Sequence, residues 1–263
     1  MKLAVREGMV PGATLEERAA VLERIGYDGI ELTLSETLGR PPEDLLQAFQ
    51  QTRVRPTTIE GVRKILDPDP TERAAALAQL RQRLDLCAAL DAVAVLLVPI
   101  FGKPLLPDLS PHASAVHLEN ELLLLQLKDV ARHAERAGAA LAIEPLNRYE
   151  THLIRTLDHA AAFCRKVNRP QVGILADFFH MNLEEVDIAA SIRQSGPFIR
   201  YVHVADSNRW QPGRGHLDFR PGFRALKETG YDGYLGVECT LIGNPVDALS
   251  EAASVIRKVW SEA

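Results

Sequence analysis

Residues 141–150 read LAIEPLNRYE, and this stretch links the fold of the chain to its chemistry. The apolar run Leu141, Ala142 and Ile143 ends in a carboxylate at Glu144, and a proline follows directly. A short apolar run that stops at a charge is typical of the end of a buried β-strand. The same event, a β-type run that ends in a residue able to bind a cation, occurs three more times downstream.

Length and composition place the chain among ordinary globular proteins. It has 263 residues, of which 46% are hydrophobic and 25% charged. This length allows either two domains or one barrel of about 250 residues. Because no low-complexity linker or charge run divides the sequence, we expect a single domain over residues 1–263. The formal net charge of -5 argues against a general affinity for nucleic acid, since phosphate binding depends on clustered Lys and Arg.

Other features bear on location. Residues 1–12 lack an extended apolar core followed by a small-residue cleavage site, so we expect no signal peptide. The longest apolar run, residues 92–101, is too short to span a bilayer. The three cysteines, Cys87, Cys164 and Cys239, lack CxxC spacing, which disfavours a disulfide framework and a zinc-thiolate site. We therefore expect a cytoplasmic protein with no membrane partner.

Strand and helix patterns alternate along the whole chain. A T-x-x-E capping box at Thr14 and Glu17, for example, predicts that a helix begins there. The predicted strands are residues 2–5, 30–32, 54–59, 93–98, 139–143, 172–176, 199–204 and 235–237. The predicted helices are residues 14–25, 43–51, 72–90, 115–137, 158–167, 184–194, 223–229 and 245–260. This alternation predicts an α/β fold, a (β/α)8 TIM barrel rather than an open doubly wound sheet.

The last four predicted strands each end in a potential metal ligand: Glu144, Asp177, His203 and Glu238. In a parallel barrel the carboxyl ends of the strands form one rim. Adjacent strands lie about 4.8 Å apart, so four neighbouring ends can surround one ion. Three carboxylates and one imidazole suit Mn2+, Mg2+ or Co2+ better than a structural zinc. The alternative is that these carboxylates at the rim only cap helices or pair with arginines. Four potential ligands at the ends of four successive strands argue against that alternative.

Five segments of the chain resemble the xylose isomerase-like superfamily of TIM-barrel sugar isomerases and epimerases. Within it, they are most similar to ketose 3-epimerases of the D-tagatose and D-psicose type. The segments are EPLNRYE at 144–150, DFFHMN at 177–182, HVADSNR at 203–209, GRGHLDF at 213–219 and VE at 237–238. The N-terminal half agrees with the superfamily in architecture but carries few recognisable motifs.

The resemblance implies a cofactor and an acid/base pair. One divalent metal ion, Mn2+ in the first place and Mg2+, Co2+ or Zn2+ as alternatives, would be held by Glu144, Asp177, His203 and Glu238. Glu144 and Glu238 would also serve as the catalytic acid and base. The implied partner is a small-molecule sugar, with no nucleic acid, and a homodimer or a homotetramer is left open.

The resemblance also implies that Glu150, His180 and Arg209 contact substrate oxygens near the reacting carbons. Each of them has a structural alternative. Glu150 could be a surface carboxylate, His180 a structural histidine that donates to a neighbouring carboxylate, and Arg209 an ion-pair partner of Asp206.

The chemistry explains why these residue types are needed. Removing a proton from the carbon next to a ketone creates a cis-enediolate, whose charge a divalent ion can stabilise as a Lewis acid. One carboxylate removes the proton as a general base. A second carboxylate on the opposite face returns a proton to the same carbon in an epimerase, whereas an aldose-ketose isomerase returns it to the neighbouring carbon. The same residues could serve either reaction.

Several rival functions remain on this scaffold. An apurinic endonuclease of the endonuclease IV type needs further metal-binding histidines, but residues 56–60 and 97–101 contain none, and residues 208–210 read NRW where that family has Asp-x-His. Hydroxypyruvate isomerase, inosose dehydratase and dehydroshikimate dehydratase are closer rivals, and Glu150 and Arg209 favour the ketose epimerases over them. A non-catalytic metal-binding protein is disfavoured by the presence of both acid/base glutamates.

Overall fold

The computed structural model describes residues 1–263 and consists of a closed parallel β-barrel surrounded by helices. The strands are Lys2–Arg6 (β1), Gly29–Leu32 (β2), Arg55–Glu60 (β3), Ala94–Leu97 (β4), Leu141–Ile143 (β5), Val172–Asp177 (β6), Ile199–Val204 (β7) and Tyr234–Val237 (β8). They pair in chain order, and β8 pairs with β1 to close the barrel. The predicted (β/α)8 TIM barrel is therefore confirmed.

Ten α-helices are present, two more than the eight predicted: the short helices Leu34–Thr37 and Phe178–Glu184 were not predicted, and one predicted helix begins too early. The ten helices are Leu15–Arg24 (α1), Leu34–Thr37 (α2), Pro42–Gln47 (α3), Pro70–Ala89 (α4), Ala115–Ala137 (α5), Leu157–Val167 (α6), Phe178–Glu184 (α7), Ile188–Ser195 (α8), Arg220–Glu228 (α9) and Pro245–Glu262 (α10). The helix predicted over residues 184–194 is present but begins later, because the chain breaks at residues 185–187 and α8 starts after the break. The carboxylate of Asp187 accepts the N–H of Ala190 and thereby caps α8 at its true start.

Side-chain caps fix other helix ends. The predicted capping box is present, since Thr14 Oγ1 accepts the N–H of Glu17 and the Glu17 carboxylate accepts the N–H of Ala13. Asp177 ends β6 and accepts the N–H of Phe179, so α7 starts directly at the carboxyl end of that strand. This cap brings α7 to the rim of the barrel.

Two apolar clusters stabilise the barrel. The larger has 61 buried residues and includes the apolar faces that the strands and helices bury against one another. The smaller has only five, Ala4, Ala94, Ala142, Leu175 and Tyr201. Burial in the larger cluster therefore supplies most of the hydrophobic stabilisation. In the smaller one, alanines lie beside a large tyrosine whose hydroxyl is 3.0 Å from Thr57 Oγ1.

Two further features concern the cysteines and the helices. All three cysteines are free thiols, Cys87 and Cys164 buried and Cys239 half-buried. None of the helices combines the length and the apolar composition that crossing a membrane would need.

Candidate metal centre

The barrel brings the four predicted ligands together at one rim. Glu144 follows β5, Asp177 ends β6, His203 lies near the end of β7, and Glu238 follows β8. These strands are consecutive neighbours in the barrel. One potential ligand atom from each residue lies within 4.8 Å of those from the others.

The centre of this cluster is the Nδ1 atom of His203. It lies 3.4 Å from Glu238 Oε2, 3.6 Å from Glu144 Oε1 and 3.9 Å from Asp177 Oδ2. Both His203 Nδ1 and Glu144 Oε1 are buried without a hydrogen-bond partner. Buried polar atoms normally have partners, so polar atoms that face one another unpaired fit a cation held between them. Three carboxylates and one imidazole form a donor set suited to a divalent metal ion.

The electrostatics of the cluster attract positive charge. Burial works to raise the pKa of Asp177, but the Arg209 guanidinium holds it below its usual value. Burial likewise opposes ionisation of Glu238, whose pKa is nevertheless held low by His203 and Arg209. For Glu144 burial prevails and raises the pKa. Burial disfavours the imidazolium of His203, yet the surrounding carboxylates hold its pKa well above its usual value.

Arg209 reaches into this cluster from the loop after β7. Its Nη1 donates to Asp177 Oδ2 at 2.7 Å and its Nη2 donates to Glu238 Oε2 at 2.5 Å. The predicted alternative, an ion pair with Asp206, is wrong, because only the backbone N–H of Arg209 bonds to Asp206, at its carbonyl oxygen. Arg209 has a left-handed backbone with φ of 63°. The loop thus turns the guanidinium towards the two carboxylates.

His180 projects from α7 towards the same cluster. Its Nδ1 lies 3.2 Å from the backbone nitrogen of Asn147 and accepts that N–H. The neutral ring therefore carries its proton on Nε2, which lies 3.7 Å from Asp177 Oδ2 and 4.0 Å from Glu144 Oε1. The side chain is buried, so the histidine presents a donor to the rim of the metal cluster.

Glu150 lies farther out, at the edge of the pocket. Its carboxylate accepts a hydrogen bond from Asn147 Nδ2 at 2.9 Å. The side chain is 44% exposed, so it can meet both solvent and a bound molecule. Asn147 thereby links Glu150 to His180, two residues that the sequence predicted separately.

A cavity of about 180 Å³ opens above the four-residue cluster. Its C-terminal-half wall contains Glu144, Glu150, His180, Arg209 and Glu238. The wall from the N-terminal half was not identified from the sequence; it includes Arg6, Glu31, Thr58, Glu60, Arg63 and Phe101. Glu60 ends β3, so the strand-end rule that found the metal ligands would also have found it, whereas Arg6 ends β1 but is itself a cation and lies outside that rule.

Asp206 organises the loop that carries Arg209. Its carboxylate accepts backbone N–H groups from Ser207, Gly213 and Leu217. Burial works against the charge, but these hydrogen bonds hold the pKa of Asp206 below its usual value. The carboxylate therefore acts as a structural anchor for the loop.

Comparisons with known proteins agree with this geometry. A family model described as "Xylose isomerase-like TIM barrel" matches residues 19–259. The chain is 28% identical to a 3-dehydro-D-guloside 4-epimerase of Escherichia coli (strain K12), over 90% of this chain and 92% of that protein. It is 30% identical to an L-ribulose 3-epimerase of Methylomonas sp. (strain DH-1), over 91% and 83% of the two chains. A crystal structure of a 3-keto-D-glucoside 4-epimerase from E. coli superimposes with a TM-score of 0.88 at 26% identity and covers 98% of this chain and 99% of that one.

Proposed function

Because the chain belongs to the xylose isomerase-like TIM barrel family, we propose that it is a metal-dependent carbohydrate epimerase that inverts a carbon next to a ketone. The single observation that carries this proposal is the position of Glu144 and Glu238, which come from β5 and β8 and both line one cavity. Two carboxylates are what inversion at one carbon requires, since one removes a proton and the other returns it to the opposite face.

The remaining residues of the pocket have roles that follow from their contacts. Glu144, Asp177, His203 and Glu238 would hold one divalent ion, which supplies Lewis-acid stabilisation of negative charge on the substrate oxygens when bound. We assign Mn2+ as the ion. The carboxylate of Glu144 or Glu238 removes the proton from the carbon, and the other glutamate, protonated as a carboxylic acid, donates a proton to the opposite face of the same carbon.

Three residues orient the substrate. His180 donates from Nε2, and Arg209 donates from its guanidinium, to substrate oxygens that gain charge during proton removal. Glu150 accepts a hydrogen bond from a substrate hydroxyl at the outer edge of the pocket. Groups fixed in this way before the reaction lower the barrier, because they need little reorganisation as charge develops.

The reaction that we propose is 3-epimerisation of a free ketose. A relative that is 30% identical is named an L-ribulose 3-epimerase. A second candidate is 4-epimerisation of a 3-keto glycoside, since another relative is named a 3-dehydro-D-guloside 4-epimerase and aligns over 92% of its length. Both reactions invert a carbon next to a ketone and need the same pair of carboxylates.

Deuterium labelling distinguishes these reactions. The purified protein with Mn2+ is incubated in deuterated water with a panel of ketopentoses, ketohexoses and 3-keto glycosides. We expect deuterium at C3 of a ketose together with an inverted product. Label at C4 of a 3-keto glycoside supports the second candidate, and label at C1 or C2 of a ketose indicates aldose-ketose isomerisation. Loss of water indicates a dehydratase, and the absence of exchange in every substrate contradicts the proposal.

A further inference from the structure

A buried carboxylate that the sequence did not single out lies close to the metal ligands. Glu31 is on β2, points into the barrel and is only 3% exposed. A charged side chain in such a place needs partners, because an unpaired buried charge is strongly destabilising. Inside the barrel, few groups are close enough to Glu31 to serve as such partners.

The partners of Glu31 are His203 and Tyr201, both on β7. The His203 Nε2 atom lies 3.1 Å from Glu31 Oε2 and 3.2 Å from Oε1. The Tyr201 hydroxyl donates to Glu31 Oε1 at 3.0 Å. A carboxylate only accepts hydrogen bonds, so this contact places a proton on Nε2 of the imidazole.

The consequence concerns the other ring nitrogen. A neutral imidazole with its proton on Nε2 presents a lone pair at Nδ1. That atom faces Glu144, Asp177 and Glu238 and has no hydrogen-bond partner. Glu31 itself does not belong to the group of mutually close ligand atoms. It therefore acts on the metal centre through the histidine.

A glycine opposite Glu31 provides the space for this contact. A Cβ atom at Gly236 on β8 would lie 2.1 Å from Glu31 Oε1 and 3.0 Å from the Tyr201 hydroxyl. Any other residue at this position would push the carboxylate or the phenol away. The register of β7 with β8 pairs His203 with Gly236 directly, so the space lies beside the histidine.

We propose that Glu31 is a positioning residue that fixes the tautomer and ring orientation of His203 so that Nδ1 is the metal-ligating atom. This inference rests on the metal centre of the proposed function. Carboxylates that hold a ligating histidine in this way typically change metal affinity by about 10–100-fold when removed.

The test measures metal binding without any sugar. Mn2+ affinity is determined by calorimetry for the wild type, Glu31→Gln and, as a matched control, Glu121→Gln, an exposed glutamate on α5. We expect Glu31→Gln to bind Mn2+ about 10–100-fold more weakly and the control to bind like the wild type. Wild-type affinity in a folded Glu31→Gln variant overturns the proposal.

A spectroscopic measurement separates positioning from a general structural role. In the Zn2+-loaded wild type, 15N chemical shifts of the His203 ring should show a protonated Nε2 and a metal-bound Nδ1. In Glu31→Gln we expect mixed tautomers. A metal-bound Nε2 in the wild type overturns the proposal.

A second variant covers the case in which Glu31→Gln does not fold. Tyr201→Phe keeps the carboxylate but removes one of its donors, and the loss of one hydrogen bond predicts Mn2+ binding about two- to tenfold weaker. Unchanged affinity in that variant overturns the proposal. A wild type that binds Mn2+ as expected but epimerises no sugar contradicts the proposed function alone, whereas a wild type that binds no divalent ion contradicts both.

Discussion

Arg209 donates from Nη2 to Oε2 of Glu238 at 2.5 Å, so a guanidinium from the loop after β7 contacts the carboxylate that follows β8. The same guanidinium also bonds to Asp177. A planar fork of donors can serve two carboxylates and a substrate oxygen, whereas an ammonium group cannot reproduce that geometry. In the proposed function, Arg209 would therefore link the metal ligands to the substrate.

Replacing Arg209 should reduce activity while the fold persists. Hydrogen bonds to charged groups contribute about 1.5–3 kcal/mol, so Arg209→Asn should lower kcat/KM about 10- to 150-fold. Asparagine tolerates the left-handed backbone at this position, so the variant should still fold, with a lower thermal transition because two buried carboxylates lose their guanidinium partner. The activity of Arg209→Lys should lie between those of the wild type and Arg209→Asn. Full activity in Arg209→Asn would remove this residue from the substrate site.

If Glu144 and Glu238 form the acid/base pair, replacing one or the other should give different patterns of deuterium labelling. With Glu144→Gln or Glu238→Gln, net epimerisation should fall about 10²–10⁴-fold, because one proton transfer loses its catalyst. Each variant should still exchange deuterium into the one epimer whose proton faces the remaining glutamate. The measurement is mass spectrometry of both epimers in deuterated water, with Mn2+ affinity determined separately. Unimpaired inversion in either variant would exclude the two-carboxylate mechanism.

Metal removal should reduce both activity and stability. The ligands include three carboxylates crowded at one rim, whose repulsion a bound cation relieves. At Mn2+ concentrations 100 times Kd the free energy of unfolding should rise by about 2.7 kcal/mol. For a chain of this size that corresponds to a Tm increase of about 5–10 °C. Differential scanning calorimetry with EDTA and with added Mn2+ tests this, and an unchanged Tm would speak against a metal centre here.

Asp206 should make the stability of the protein depend on pH. Its pKa is lowered in the folded protein, so its contribution is fully present above the unfolded carboxyl pKa of about 3.9 and is lost as pH falls through the lower folded value. Asp206→Ala should cost about 2 kcal/mol at pH 7, because three backbone N–H groups lose a charged acceptor.

The critical measurement for Asp206 is how the stability difference between the wild type and Asp206→Ala depends on pH. Urea unfolding of the wild type and Asp206→Ala should show a difference in unfolding free energy that shrinks as the pH falls below about 3.9. Asp206→Asn serves as the control, since it keeps the side-chain shape without the charge; its loss should be smaller, and because neither variant titrates at this position, the difference between Asp206→Ala and Asp206→Asn should not depend on pH. If the difference in unfolding free energy between the wild type and Asp206→Ala stayed constant with pH, the charge of Asp206 would not be what anchors the loop.

A buried glutamate on α5 should control the loop that covers part of the pocket. The Glu119 carboxylate accepts the N–H of Leu105 at 2.6 Å and lies 2.5 Å from His152 Nε2. It thereby ties the loop after β4 to the loop after β5. Glu119→Ala should lower stability by about 2–3 kcal/mol, because the N–H of Leu105 and the ring of His152 lose a charged, buried partner.

The same variant should also affect substrate binding. Phe101 lies in the loop after β4 and lines the cavity, so KM should rise more than kcat falls. Glu121→Ala, an exposed position on the same helix, is the matched control. Equal effects of the two substitutions on KM would mean that Glu119 does not position the loop.

The barrel and the four residues of the metal centre follow from local patterns in the sequence. Apolar runs that end in Glu144, Asp177, His203 and Glu238 are local patterns, and the parallel barrel places all strand ends at one rim. The start of the helix predicted over residues 184–194 was misplaced, because its polar and apolar pattern continues across the break that precedes the cap at Asp187.

Which side-chain atoms contact one another depends on the tertiary structure. Glu31 lies on β2 and His203 on β7, and nothing in either segment indicates that a carboxylate spans the barrel to one nitrogen of the imidazole. The contact also needs the missing side chain of Gly236 on a third strand. Strand periodicity fixes the face on which a side chain lies, whereas its partners depend on the closure of the barrel, which brings together residues distant in the chain.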